Sequence, residues 1–206
     1  MTAAADSPEE IATVRIELVD TDPLIWRQVE VPTSITLKGL HDIVQAAMGW
    51  FNQHLWEFQI GRQIYGQPVG GETWNPNPPV SAAKVQLGEL LKPRKTVIGY
   101  TYDMGDCWEH RLTLTDVRAA DPAVAYPRYV AGDRAAPPED CGGLPGFYAA
   151  LEALADPDHP EHADILDWFD GYDPEAFDHL PLKAAVGRLA SRRRTGRTGK
   201  AKNREA

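Results

Sequence analysis

Tyr100-Thr101-Tyr102-Asp103-Met104-Gly105-Asp106-Cys107-Trp108-Glu109-His110 gathers carboxylates, aromatic rings, a histidine and turn chemistry in one short stretch. Asp103 and Asp106 flank Gly105, and Asx side chains bond their own backbone in turns while glycine accepts positive φ. The stretch is therefore the tip of a hairpin: a strand over 96–102, a turn at Asp103–Asp106, and a strand returning from Trp108 to Val117. Side chains alternate across a strand, so Trp108, His110, Leu112 and Leu114 share one face and Glu109, Arg111, Thr113 and Thr115 the other. Ile98, Tyr100 and Tyr102 form the matching set on the outgoing strand. His110 thus points with the core set, at the mouth of an apolar face and beside two carboxylates. That placement suits a metal or acid-base role. It equally suits a buried histidine bonded to Asp106 or a tyrosine hydroxyl, which serves stability alone.

The chain repeats this hairpin logic on both sides. Val14, Ile16 and Leu18 alternate, a turn follows at Asp20–Pro23, and a second strand runs over 25–31 to Pro32. Leu37, Leu40, Ile43, Val44, Ala47 and Met48 then recur at helical spacing, with Thr36 as N-cap, Gly49 as C′ residue, and His41 at the border of the stripe. Leu55–Ile60 is another strand, turned by Gly61-Arg62 toward Gln63–Tyr65, and 85–91 is a short helical turn. Helices are expected at about 145–155 and 159–170, the second opened by a capping box of Asp158 and Glu161. The fold class is α+β: one mixed, largely antiparallel sheet built from hairpins, packed by one N-terminal helix and C-terminal helices. Residues 1–12 read as a disordered leader, 13–187 as a single domain, and 188–206 as a disordered basic tail.

Charge and composition narrow the function classes. The net charge of −9 is unevenly spread, because 188–206 holds eight Lys or Arg against one Glu, leaving −16 on the rest. An acidic body repels phosphate backbones, so a nucleic-acid role runs through Arg192, Arg193, Arg194, Arg197 and Lys200 of the tail. Two cysteines and an N-terminus without basic and apolar signal regions point to a reduced, cytoplasmic protein, and no apolar run is long enough for a membrane helix. No P-loop, no Gly-x-Gly-x-x-Gly and no Gly-x-Ser-x-Gly elbow occurs, which disfavours nucleotide-driven and serine-hydrolase mechanisms.

Three other stretches carry candidate chemistry. Pro137-Pro138-Glu139-Asp140-Cys141-Gly142-Gly143 offers backbone N–H groups and carboxylates, which oppose each other in the sign of ligand they attract. Glu139 and Asp140 together favour a cation, and the competing reading is a rigid connector. His159 and His162 stand at helical i, i+3 spacing suited to a shared metal, although a capping box explains their neighbours. Trp74, in the Gly/Pro-rich stretch 66–82, either pins that loop or lids a ligand cleft with Tyr100 and Trp108.

Taken together, Ile25-Trp26-Arg27, Leu40-His41, Met48-Gly49-Trp50, His54-Leu55, Tyr102-Asp103-x-Gly105-Asp106-x-Trp108-Glu109-His110, the 137–143 loop and Asp156-Pro157-x-His159-x-Glu161-His162 resemble the plasmid pRiA4b ORF-3-like family over about 14–178. The resemblance implies an α+β domain and an association with plasmids and insertion elements, and brings no catalytic residues. Relatives often carry additional cysteines near the segment matching 126–137, where this chain has Tyr126-Pro127-Arg128-Tyr129 and Arg134-Ala135-Ala136-Pro137, so a cysteine-metal site is not expected. Nor does anything here resemble a serine resolvase site, so the recombinase (TnpR) label of some members does not transfer. Two functional expectations follow. The first is a mobile-element-associated module binding protein or nucleic-acid partners. The second is a metal-dependent enzyme using a divalent ion held by Asp103, Asp106, His110, Glu139 and Asp140, with His162 as a further ligand.

Overall fold

The computed structural model describes residues 9–67, 78–92 and 95–202, with side chains through Thr195. Trp74 and most of its loop, together with 1–8, therefore lie outside the described residues. The strands are β1 (Glu10–Leu18), β2 (Trp26–Pro32), β3 (Trp56–Ile60), β4 (Gln63–Gly66), β5 (Val80–Ser81), β6 (Thr96–Tyr102), β7 (Trp108–Ala119) and β8 (Arg128–Asp133). They form one sheet in the order β5-β4-β3-β6-β7-β1-β2-β8. Three hairpins, β1/β2, β3/β4 and β6/β7, supply the local pairs, and every neighbouring pair is antiparallel except β4/β5. The mixed, hairpin-built sheet expected from sequence is what forms.

Strand parity decides what is buried. Along β7, Trp108, His110, Leu112 and Leu114 are buried while Glu109 and Arg111 are exposed. Cross-strand pairing sets Tyr100 opposite His110 and Tyr102 opposite Trp108, and β3 adds Phe58 opposite Tyr100 and Trp56 opposite Tyr102. Aromatic rings thus tile the centre of the inner face, where offset and edge contacts add to area burial.

Helix α1 (Leu37–Met48) lays its apolar stripe on that face. The Thr36 hydroxyl accepts from the Gly39 N–H at 3.2 Å, and Gly49 ends the helix at φ +85. His41 is not at the border, as its spacing suggested, but fully buried: Nδ1 lies 2.8 Å from the Tyr100 hydroxyl, Nε2 2.7 Å from Asn52 Oδ1, and the ring stacks on Trp56 at 4.0 Å. Arg27 is fully buried too. Its guanidinium donates to the carbonyls of Trp26, Ala47 and Asp133 at 2.8–2.9 Å and lies over Phe177, clasping β2, β8 and the end of α1. Burial lowers its pKa to about 10, which leaves it charged.

Helices α2 (Gly143–Ala155), α3 (His162–Phe169) and α4 (His179–Lys202) complete the fold. The expected capping box does not form: α3 starts after Glu161, which makes no side-chain cap, and the Asp158 N–H donates to Asp156 Oδ1. Both expected disordered ends also prove structured where they are described. Strand β1 begins at Glu10, with Ile11 and Ala12 fully buried, because a register shift against β7 after Ile11 brings both inside. At the other end α4 runs to Lys202, through the stretch that composition assigned to a tail. Leu182, Val186 and Ala190 are buried at i, i+4, i+8 on its packed face, so the helix is nucleated by tertiary contacts and propagates through the arginines at little extra cost. Arg193 closes the element onto the body, pairing with Glu9 and donating to the Ser34 hydroxyl at 2.8 Å.

Deleting 188–206 removes Ala190 and the Arg193 contacts, a loss of roughly 1–2 kcal/mol, which lowers the thermal midpoint by about 2–8 °C in a domain of this size. Circular dichroism melts of the full and truncated chains check this; an unchanged midpoint would mean the arginine stretch contributes nothing to the fold.

Candidate metal centre

Three segments meet at the tip of the β6/β7 hairpin: the turn 103–107, the loop 50–55 after α1, and the loop 137–143 before α2. The turn is built differently from its expected form. Asp103 (φ +57) and Cys107 (φ +56) take the left-handed conformations, not Gly105, and the Cys107 N–H donates to the Asp103 carbonyl at 2.7 Å. Asp103 Oδ1 accepts from the Gly105 N–H at 2.8 Å, the Asx bond that holds a loop of this shape.

Backbone bonds stitch the 50–55 loop to its neighbours. The Phe51 N–H donates to Glu139 Oε2 at 2.7 Å, the Gln53 N–H to the Tyr102 hydroxyl at 3.0 Å, and the Asp103 N–H to the Leu55 carbonyl at 2.8 Å. The Tyr102 hydroxyl donates in turn to Glu139 Oε1, and burial together with that carboxylate holds its pKa well above the usual phenol range. Trp50 Nε1 donates to the Pro137 carbonyl at 2.9 Å. The 137–143 loop is anchored at its far end by Asp106, whose Oδ2 accepts from the Gly142 N–H at 3.2 Å. Here a glycine is required: Gly143 sits at φ +66, and a Cβ there would fall 2.3 Å from the Asp106 carbonyl oxygen.

The product of this stitching is a cluster that sequence reasoning half anticipated. Asp103 and Asp140 converge, but their partner is His54 rather than His110, and one ligand atom from each lies within 4.8 Å of the others. His54 Nε2 is 2.9 Å from Asp140 Oδ1 and 3.6 Å from Asp103 Oδ2. The approach to Asp140 is close yet off-axis: Nε2 is shielded from solvent and has no partner in hydrogen-bonding geometry. An imidazole nitrogen aimed between two carboxylates is a donor set for a divalent ion such as Zn²⁺ or Mn²⁺. Ligands about 2.1 Å from one ion stand at most about 4.2 Å apart, so a small rotation of the Asp140 carboxylate closes the set. That carboxylate is free to turn, being 64% exposed.

The remaining candidates fall outside the triad. Glu139 borders it, both oxygens engaged as above, and Asp106 serves the loop. His110 is 2% exposed, its Nδ1–H donating to the Trp108 carbonyl at 3.0 Å, its ring against Trp50 and Tyr100. His159 Nδ1 accepts from the Glu161 N–H, and His162 Nδ1–H donates to the Ala153 carbonyl, so both shape the start of α3 and neither joins the cluster. The rings of Tyr100 and Trp108 are sealed in the core, so they do not form the walls of the ligand cleft expected with Trp74. Burial and nearby Asp106 push the Cys141 thiol up to about 12, and its Sγ is turned to the Gly143 carbonyl rather than to the cluster. His54 was visible in sequence within the His54-Leu55 pair, but no periodicity or spacing linked it to residues some 50 and 86 positions away.

A hairpin-based α+β domain with a His/Asp/Asp cluster at the mouth of its central hairpin is the class of protein defined by fold and site. The chain belongs to the plasmid pRiA4b ORF-3-like family, whose family model matches residues 10–180. It is 36% identical over 187 residues to the uncharacterised protein y4hQ of Sinorhizobium fredii (strain NBRC 101917 / NGR234), a match covering 88% of this chain and 93% of that one. Its fold is similar, at a TM-score of 0.75 and 34% identity, to the crystal structure of MM3350, a protein of unknown function from Methanosarcina mazei Go1, covering 84% of this chain and 97% of that one.

Burial lowers the pKa of both His41 and His110 to about 4, so the folded protein keeps them neutral while the unfolded chain binds protons near 6.5. Their contribution is complete above about pH 6.5 and is lost as pH falls toward 4, by up to about 3 kcal/mol for each ring. Urea unfolding at pH 7, 5.5 and 4.5 should show a falling midpoint across that window; a flat profile would contradict the assignment.

Proposed function

We propose that this protein is a divalent-metal-dependent enzyme whose ion is held by His54, Asp103 and Asp140. The supporting observation is the convergence of one imidazole nitrogen and two carboxylates, from three separate segments, on a single point beside an open cleft. Three protein ligands leave coordination positions for water or substrate, the pattern of catalytic rather than structural sites. The bound ion would supply Lewis-acid polarisation and an activated water. The chain's own part is to orient the ligands: the Asx turn fixes Asp103, the bonds to Gln53 and Leu55 bracket His54, and the Asp106 bond to Gly142 holds the loop that carries Asp140.

Calorimetric titration of chelator-treated protein with Mn²⁺ or Zn²⁺ should give one ion per chain, with His54→Ala and Asp140→Asn each weakening it by at least about tenfold. Absence of binding, or wild-type affinity in His54→Ala, would reject the centre. His54 is partly exposed, so its removal should spare the fold, which circular dichroism can check.

A second reading draws on α4, where Arg192 and Arg194 are exposed on the basic half of the helix while Arg193 is tied to Glu9. It keeps the nucleic-acid or protein-partner role on mobile elements that the family resemblance implies; the side chains of Arg197 and Lys200 lie outside the described residues. In this reading, replacing Arg192 and Arg194 by Ala abolishes a salt-sensitive gel shift with duplex DNA. A shift that survives the double replacement would remove α4 as the contact.

A further inference from the structure

A cleft of about 370 Å³ opens beside the cluster, between the end of α1 and the 136–140 loop. Its size is that of a small-ligand site. Phe51, Pro137, Pro138 and Tyr172 give it apolar walls, while among the described residues Glu139 and Asp140 supply its formal charges and no Lys or Arg lines it. An ion between His54, Asp103 and Asp140 offsets the charge of Asp140 but leaves that of Glu139. Each Glu139 oxygen accepts one bond, from the Tyr102 hydroxyl or the Phe51 N–H, whereas a carboxylate accommodates about four. It therefore has room for a donor arriving from the cleft.

The rim adds a second requirement. Phe51 is 76% exposed, Leu55 55% and Met104 48%. Phe51 lines the cleft and is bonded through its N–H to Glu139, while Leu55 and Met104 flank Asp103 of the cluster, Leu55 through its carbonyl and Met104 by sequence. An exposed phenylalanine on the wall of a charged cleft suits a ligand with an apolar body.

We propose that this cleft binds an organic cation: a primary ammonium carried on an apolar body, the ammonium against Glu139 and the body against Phe51, Pro137 and Pro138. The carboxylate supplies the charge-assisted hydrogen bond, and the faces of Phe51 and Tyr172 favour a cation over an anion. This deepens the metal-enzyme reading by naming the class of ligand brought to the ion, although binding itself rests on Glu139.

Benzylamine, benzyl alcohol and benzoate share one apolar body and differ in charge. Titrated by NMR into the full chain with chelator present, benzylamine should bind at least about tenfold tighter than the alcohol, and benzoate should not bind. Glu139→Gln should cost benzylamine about tenfold or more, and Phe51→Ala a smaller factor against all three probes. Equal affinities, a preference for benzoate, no binding of benzylamine, or an unchanged Glu139→Gln would each overturn the proposal. Should Glu139→Gln melt below the wild type, the charge series and Phe51→Ala decide the matter. His54→Ala separates the two readings: it removes the ion while leaving benzylamine binding in chelator intact, so either can fail alone.

Discussion

One phenolic oxygen ties together the loops at the tip of the central hairpin. The Tyr102 hydroxyl accepts from the Gln53 N–H and donates to Glu139, so a single atom of the central hairpin sets the position of two loops that are remote from each other in sequence. It stands where β6 stops, with its ring sealed between Trp50 and His54. Because burial and the Glu139 carboxylate hold its pKa well above the usual phenol range, the hydroxyl is protonated and a donor at neutral pH. The loops inherit the rigidity of the sheet through it. It acts with the Phe51 N–H bond to Glu139 and the Trp50 bond to the Pro137 carbonyl, which join the same two loops directly.

Behind Tyr102 the sheet is filled by rings and by two neutral histidines. His41 has both ring nitrogens bonded, to Tyr100 and Asn52, and so joins α1, β6 and the 50–55 loop. His110 has only the Trp108 carbonyl for Nδ1 and otherwise contributes shape. Buried polar groups that are satisfied specify one arrangement of their neighbours, since any other leaves a donor or acceptor unpaired in a low-dielectric interior. His41, satisfied at both ring nitrogens, thus acts as a registration mark for α1 and the central hairpin, whereas His110 Nε2 has no hydrogen-bond partner among the described residues and half-buried His54 belongs to the cluster.

Local periodicity made the hairpins, α1 and the burial of Trp108, His110 and Leu112 readable, because each depends only on neighbours in the chain. The same logic failed where long-range contacts decide. Composition marked the arginines of α4 as disordered, but the buried stripe of Leu182, Val186 and Ala190 lies N-terminal to them and extends the helix. Asp158 and Glu161 matched a capping pattern that His159 pre-empts by accepting the Glu161 N–H. At the site, Asp103 and Asp140 were recognised as acids near turns, yet His54 is tied to them by a loop crossing that no spacing reveals. His110 drew attention by lying in the same hairpin, and strand parity already placed it on the inward face.

Asp103 divides one carboxylate between two duties, Oδ1 closing its own turn and Oδ2 facing the cluster. A substitution there would disturb the turn and the cluster together. His54 is different in kind, since its loop is held by the backbone of its neighbours and its side chain is the part left over. A replacement at position 54 would therefore alter the cluster while leaving the scaffold standing, whereas one at position 103 would reach both.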